Sequence, residues 1–185
     1  MKRIIPIPRL RSHPELAEHA ALGELLLPEL RDPTPDLLAG LVQRLGLRPE
    51  LWHTRVRFDA DSRYYARLAS APTYEVWLLT WLPGQGTGLH DHGESAGAFA
   101  VVAGLLRERT PVRLGSGRYA VHERPLPAGT VRSFAPGYVN EIVASTTPSV
   151  SIHAYGPALS RMTQYALVDG RLEPAPGATV GRHRD

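Results

Sequence analysis

Between Pro14 and Leu51 the apolar positions recur at three- and four-residue intervals, as in Leu22, Leu25 and Leu26 and again in Leu37, Leu38, Leu41 and Leu45. That spacing lines one face of a helix, and it predicts two or three short helices. The segment Asp-Pro-Thr-Pro-Asp-Leu-Leu-Ala-Gly-Leu-Val-Gln-Arg-Leu-Gly is punctuated at both ends. Thr34 and Pro35 suit an N-cap and a first turn, and Gly46 suits a C-terminal stop.

From about residue 55 the rhythm changes to short runs rich in Val, Tyr, Trp and Thr, separated by Gly and Pro clusters. Strands are predicted over 74–82, 96–104, 118–123, 129–134, 138–145 and 149–155, with a further hairpin around Asp169 and Gly170. So many closely spaced strands without intervening helices predict a mainly β fold, an antiparallel barrel or sandwich. One structural domain follows, with a helical segment over 1–54 packed on a barrel over 55–175. Residues 176–185, small, polar and rich in Pro and Gly, read as a flexible tail.

Composition narrows the function. A chain of 185 residues is long enough for one hydrophobic core and short for two. Its apolar runs fall well short of the roughly 20 residues that span a bilayer, so no membrane partner is expected. The basic N-terminus is broken by Pro6 and Pro8 and does not read as a signal peptide, which makes the cytoplasm the expected location. The net charge of +3 is modest, and the arginines are dispersed without aromatic interleaving, which argues against nucleic acid. There is no cysteine, so disulfides, thiolate metal sites and cysteine nucleophiles are excluded. Any metal falls to His, carboxylate or amide donors.

One segment offers such donors. In Gly-Gln-Gly-Thr-Gly-Leu-His-Asp-His-Gly, His90 and His92 stand two residues apart, and on a strand such positions project from one face. Three glycines just before them, Gly84, Gly86 and Gly88, mark backbone that must bend or approach closely. Imidazole suits iron, zinc, copper or nickel, so the pair by itself does not choose the ion. Gly84, five residues, His90, one residue and His92 resemble the first half of the cupin motif.

A closer resemblance runs over about 55–168, carried by WLPGQGTGLHDHGESAGAFAVVAG and PSVSIHAYGPAL. These segments resemble the cysteine dioxygenase family, particularly its bacterial members. The resemblance implies a small cupin barrel with one Fe(II) per chain held by three histidines, converting a small thiol to its sulfinic acid with both atoms of O₂. Carried over, His90 and His92 are the first two iron ligands. Ser151, His153 and Tyr155 match the family's Ser-x-His-x-Tyr relay, and their alternation places all three on one side of a strand. Arg67 matches the arginine that grips the substrate carboxylate, a task suited to a planar guanidinium, with Arg63 as the nearby alternative.

The chain departs from the family at two positions. Some members crosslink a cysteine near the HxH motif to the relay tyrosine, and Gly97 stands there instead. The third histidine ligand should fall in Phe-Ala-Pro-Gly-Tyr-Val-Asn-Glu, where this chain has Asn140. A carboxamide oxygen is a weaker donor than imidazole. Glu141 should face the other side of its strand, and His122 is the remaining barrel histidine without a role. The expected function is a thiol-dioxygenase-like enzyme acting on a small thiol carboxylate such as cysteine. The alternative is a degenerate or repurposed cupin that keeps the pocket without that activity.

Overall fold

The computed structural model describes the backbone of residues 31–181 and the side chains of residues 31–175; the helices expected before residue 31 lie outside them. The predicted helix is present as α1, Pro35–Gly46. Thr34 is its N-cap, its Oγ1 accepting from Leu37 N at 3.4 Å, and Pro35 occupies the first turn, where no N–H is required. Leu38, Leu41, Val42 and Leu45 form its buried face. Two single 3₁₀ turns, Pro49–Leu51 and His53–Arg55, lead to the strands.

Eleven strands follow: β1 Tyr65–Ser70, β2 Glu75–Trp81, β3 Leu89–His90, β4 Ala96–Ala103, β5 Leu105–Arg113, β6 Tyr119–Pro127, β7 Val131–Phe134, β8 Glu141–Ala144, β9 Ser149–Gly156, β10 Arg161–Val168 and β11 Arg171–Gly181. One sheet has the order β1-β2-β9-β4-β7. Opposite it stand β11-β10-β3 and β6-β5-β8, joined edge to edge by the bridges His90↔Asn140 and Gly86↔Val143. All the strand pairs are antiparallel. The expected mainly β, antiparallel architecture is therefore what the chain adopts.

The five-stranded sheet is buried on both faces, and its strands divide their side chains between them. Val76 and Leu78 of β2, Ala96, Ala98 and Ala100 of β4, and Val150, Ile152 and Ala154 of β9 pack in one cluster with the buried face of α1. The alternate residues Leu79, Trp81, Phe99, Val101 and Tyr155 form a second cluster with Leu106, Leu126, Phe134, Ile142 and Ala144 from the facing strands. Strand β9 thus sends its apolar residues to the helix, while Ser151, His153 and Tyr155 face the barrel interior.

Three elements differ from expectation. Strand β5 was hidden by Pro111, which sits past the last rung with β8 at Arg109↔Glu141. On that stretch only β6 is a neighbour, so half of the N–H groups have no strand to serve. Strand β1 carried no clear alternation and shows a register shift between Arg67 and Ala69. The expected tail is paired as far as Gly181: Pro176 and Gly177 fall in a bulge where the register jumps from Tyr165↔Pro174 to Thr163↔Thr179. The hairpin at Asp169 and Gly170 has positive φ at both residues, 49° and 77°, the signature of a type I′ turn.

The fully enclosed Leu41 and the 44% exposed Leu37 of α1 give a direct test of this packing. Leu41→Ala should lower unfolding free energy by about 2–5 kcal/mol, while Leu37→Ala should change it by about 0.5 kcal/mol or less. Urea unfolding of the two variants measures both.

Candidate metal and substrate site

The glycines before the histidine pair are used as expected. Gly84 and Gly88 have φ of 85° and 71°, and a Cβ on Gly86 would stand 3.1 Å from the Ile142 carbonyl oxygen. This close approach lays the chain against β8 and begins β3. His90 then pairs reciprocally with Asn140, its N–H donating to Asn140 O at 2.9 Å and its carbonyl oxygen accepting from Asn140 N at 3.0 Å. Directly opposed residues of an antiparallel pair present their side chains on the same face. Asn140 is therefore on the face of His90, and both are buried, as is His92.

The two imidazoles meet through their Nε2 atoms at 3.1 Å. Two nitrogens each about 2.1 Å from one ion and at right angles to each other lie about 3.0 Å apart, so this separation suits two ligands of one ion as well as a hydrogen bond between the two rings. His90 Nδ1 donates to Gly88 O at 3.0 Å, which leaves the Nε2 lone pair free for a ligand role. Burial holds His90 down to about 4 and His92 well below the ordinary imidazole value, with Arg63 adding to the effect on His90. Neutral imidazole is the form that binds metals.

Asn140 supplies a further donor. Its Nδ2 donates to Glu108 Oε1 at 3.2 Å, and its Oδ1 is buried without a hydrogen-bond partner. An orphaned buried oxygen is costly unless something binds it. Among the described residues no three His, Cys, Asp or Glu side chains gather as a cage; the donor set is two imidazoles and one carboxamide oxygen, and it fits a metal ion such as iron. His122 lies exposed on β6, paired with Thr110. Glu141 turns outward to Arg109, whose Nη1 is 2.9 Å from its Oε2.

The Ser151, His153 and Tyr155 side chains form a hydrogen-bonded row, with Ser151 Oγ to His153 Nε2 at 2.8 Å and His153 Nδ1 to Tyr155 Oη at 3.3 Å. Trp81 Nε1 donates to Ser151 Oγ at 2.9 Å. In one tautomer His153 Nε2 donates to Ser151 Oγ and Tyr155 Oη donates to Nδ1; in the other the serine proton goes to Nε2 and the ring proton, on Nδ1, donates to the tyrosine oxygen. In the second tautomer the Tyr155 hydroxyl proton is free to donate outside the row. Burial lowers His153 to about 3 and raises Tyr155 well above the ordinary phenol value, so the first stays neutral and the second protonated. The Tyr155 ring stacks on His92 at 5.1 Å, which brings the row to the histidine pair.

Of the two arginines, Arg63 is the one at this centre. Extending the β1–β2 register of Tyr65↔Leu79 by two residues sets Arg63 opposite Trp81, and its Cζ lies 4.7 Å from that ring centroid. Its Nε is buried without a partner, and its charge acts on His90, His153 and Tyr155. Arg67 is exposed and lies over Trp77 at 5.7 Å, two strands from His153. Arg67, the expected carboxylate anchor, is thus exposed on edge strand β1, and Arg63 is the more enclosed of the two.

Three contributors escaped the sequence reading. Trp81 anchors the row through Ser151. Phe134 stacks on His92 at 4.7 Å and on Tyr138 at 5.6 Å. A Cβ on Gly97 would stand 2.3 Å from its ring, so this phenylalanine fills the space in which a crosslinking cysteine would sit. Glu108 is buried at 1% exposure beneath Asn140. Its only trace in sequence is phase: Leu106, Glu108 and Thr110 alternate with Arg107 and Arg109, which makes the carboxylate an inward residue.

An antiparallel double-sheet barrel with a histidine pair at its seam is a cupin. The family profile of cysteine dioxygenase type I matches residues 34–167, and the chain belongs to that family. No curated protein sequence matches. Among solved structures, a double-stranded β-helix protein from Klebsiella pneumoniae is 18% identical, covering 66% of this chain and 92% of its own, with a TM-score of 0.47. TT1209 from Thermus thermophilus is also 18% identical, covering 57% and 93%, with a TM-score of 0.48. An RmlC-like cupin from Desulfovibrio desulfuricans is 18% identical, covering 56% and 90%, with a TM-score of 0.45. Among the described residues no helix is long and apolar enough to cross a membrane.

His153 generates a pH prediction. In the unfolded chain it takes up a proton near pH 6.5, whereas in the fold it stays neutral down to about 3. The unfolded state binds more protons between these values, so stability falls as the pH is lowered through that window, this ring contributing roughly 1 kcal/mol per unit. Urea midpoints at pH 7, 6 and 5 should show the loss, and His153→Gln should remove the part this ring contributes, leaving that of His90 and His92.

Proposed function

We propose that this chain is an iron-dependent thiol dioxygenase with an altered ligand set, converting a small thiol carboxylate to its sulfinic acid. The observation that carries the reading is the meeting of His90 Nε2 and His92 Nε2, with the unpartnered Asn140 Oδ1 belonging to the residue paired with His90 on the same face, beside the Ser151–His153–Tyr155 row. His90, His92 and Asn140 would hold one Fe(II). Iron bound there supplies the redox chemistry by which both atoms of O₂ join one sulfur.

The remaining work belongs to the protein. Arg63, in place of Arg67, rests over the Trp81 ring and presents to the substrate carboxylate a half-buried guanidinium, its Nε enclosed and unpartnered. In the second of the His153 tautomers, Tyr155 offers its free proton to the substrate or to developing negative charge, held in direction by His153 and Ser151. Phe134, Phe99 and Trp81 keep the interior apolar. Asn140 also supports a second reading, a repurposed cupin, because an amide donor lowers metal affinity and electron richness relative to imidazole.

Two experiments test the proposal. Elemental analysis should find one metal per chain, lost in His90→Ala and in His92→Ala, and Asn140→His should bind iron more tightly. If that variant also gains oxygen uptake with cysteine or 3-mercaptopropionate, the dioxygenase reading stands. Tighter iron with less thiol oxidation would favour the repurposed cupin, and retention of metal by both alanine variants would remove the site. Arg63→Ala should weaken thiol-carboxylate binding by about 1.5–3 kcal/mol, read as KM, while Arg67→Ala leaves it near wild type. The reverse pattern would return the role to Arg67.

A further inference from the structure

Glu108 is buried in the barrel with four polar side chains directed at it. Its Oε1 accepts from Tyr138 Oη at 3.1 Å and from Asn140 Nδ2 at 3.2 Å. Its Oε2 accepts from Arg132 Nε at 3.2 Å and lies 3.2 Å from Arg124 Nε. An ionised carboxylate can only accept hydrogen bonds, and the two guanidinium groups keep this one compensated. A carboxamide facing it must therefore turn its NH₂ toward Glu108 and its oxygen the other way. The oxygen so directed is the buried, unpartnered Asn140 Oδ1, on the face of the histidine pair.

We infer that Glu108 is the positioning residue of the third donor, selecting which end of the Asn140 carboxamide faces the metal. This rests on the metal-binding reading of His90, His92 and Asn140. Without the carboxylate the amide has no preferred sense, and an NH₂ group turned to the histidine pair has no lone pair to give. The arrangement is an acidic orienter behind a metal ligand, applied to an amide. Glu108→Gln makes the dependence sharp. Its oxygen is claimed by Arg132 and Arg124, so its own NH₂ faces Asn140 and favours the flipped amide.

The test is anaerobic titration of the full metal-free chain with Co(II), followed by calorimetry and by visible absorption, which reports the coordination sphere. Wild type should bind one Co(II), and Glu108→Gln should bind about 10- to 100-fold more weakly with a changed spectrum. Asn140→Ala should weaken binding comparably. In the double variant Glu108→Gln/Asn140→Ala, binding should be no weaker than in Asn140→Ala alone, because the glutamate acts only through the amide. A folded Glu108→Gln that binds like wild type, or two losses that multiply in the double variant, overturns the inference and leaves the histidine site intact. Absence of Co(II) binding by wild type overturns the metal reading and this inference together. Should Glu108→Gln not fold, the wild-type Asn140 side-chain amide, assigned by its loss in Asn140→Asp, carries the test with Zn(II). Slow exchange of its protons, retained with metal, supports the inference; fast exchange overturns it.

Discussion

His90 and Asn140 exchange two backbone hydrogen bonds, and this rung, with the Gly86↔Val143 bridge beside it, organises the seam of the barrel. It closes β3 against β8 and so turns two three-stranded sheets into one wall facing the five-stranded sheet. The same rung sets both side chains on the interior face. Closing the barrel and assembling the donor set are thus one event. The glycines before His90 serve this seam, since a side chain on Gly86 would crowd the Ile142 carbonyl.

Behind the seam, the polar interior is compensated in layers. Glu108 is balanced by Arg124 and Arg132, and Ser151 is satisfied by Trp81 and His153. Among the described residues, the buried side-chain atoms without a hydrogen-bond partner include Asn140 Oδ1, His92 Nδ1 and Arg63 Nε at the centre, and also Tyr74 Oη and Arg109 Nε outside it.

Much of this was legible in sequence because it follows from short-range periodicity. The i, i+2 spacing of His90 and His92, the Ser151-His153-Tyr155 alternation and the capping of α1 by Thr34 are local patterns, and the structure has each. What stayed hidden depends on register between distant strands. Arg67 aligned with a motif, yet only the β1–β2 pairing reveals that Arg63 is the enclosed one. Glu108 lies 32 residues from Asn140 and finds it through the β5–β8 ladder. Pro111 masked β5, and the tail's Pro and Gly concealed a bulge rather than an end to pairing.

The ring of Phe134 over Gly97 has a consequence for how the protein becomes competent. Where a covalent link must form between two side chains, a freshly folded population is mixed, with linked and unlinked molecules side by side. Here van der Waals contact alone supports the stack of His92 against Phe134 and Tyr155. No cysteine exists in the chain to alter it. Folding alone therefore sets this stack, with no later covalent step available to change it.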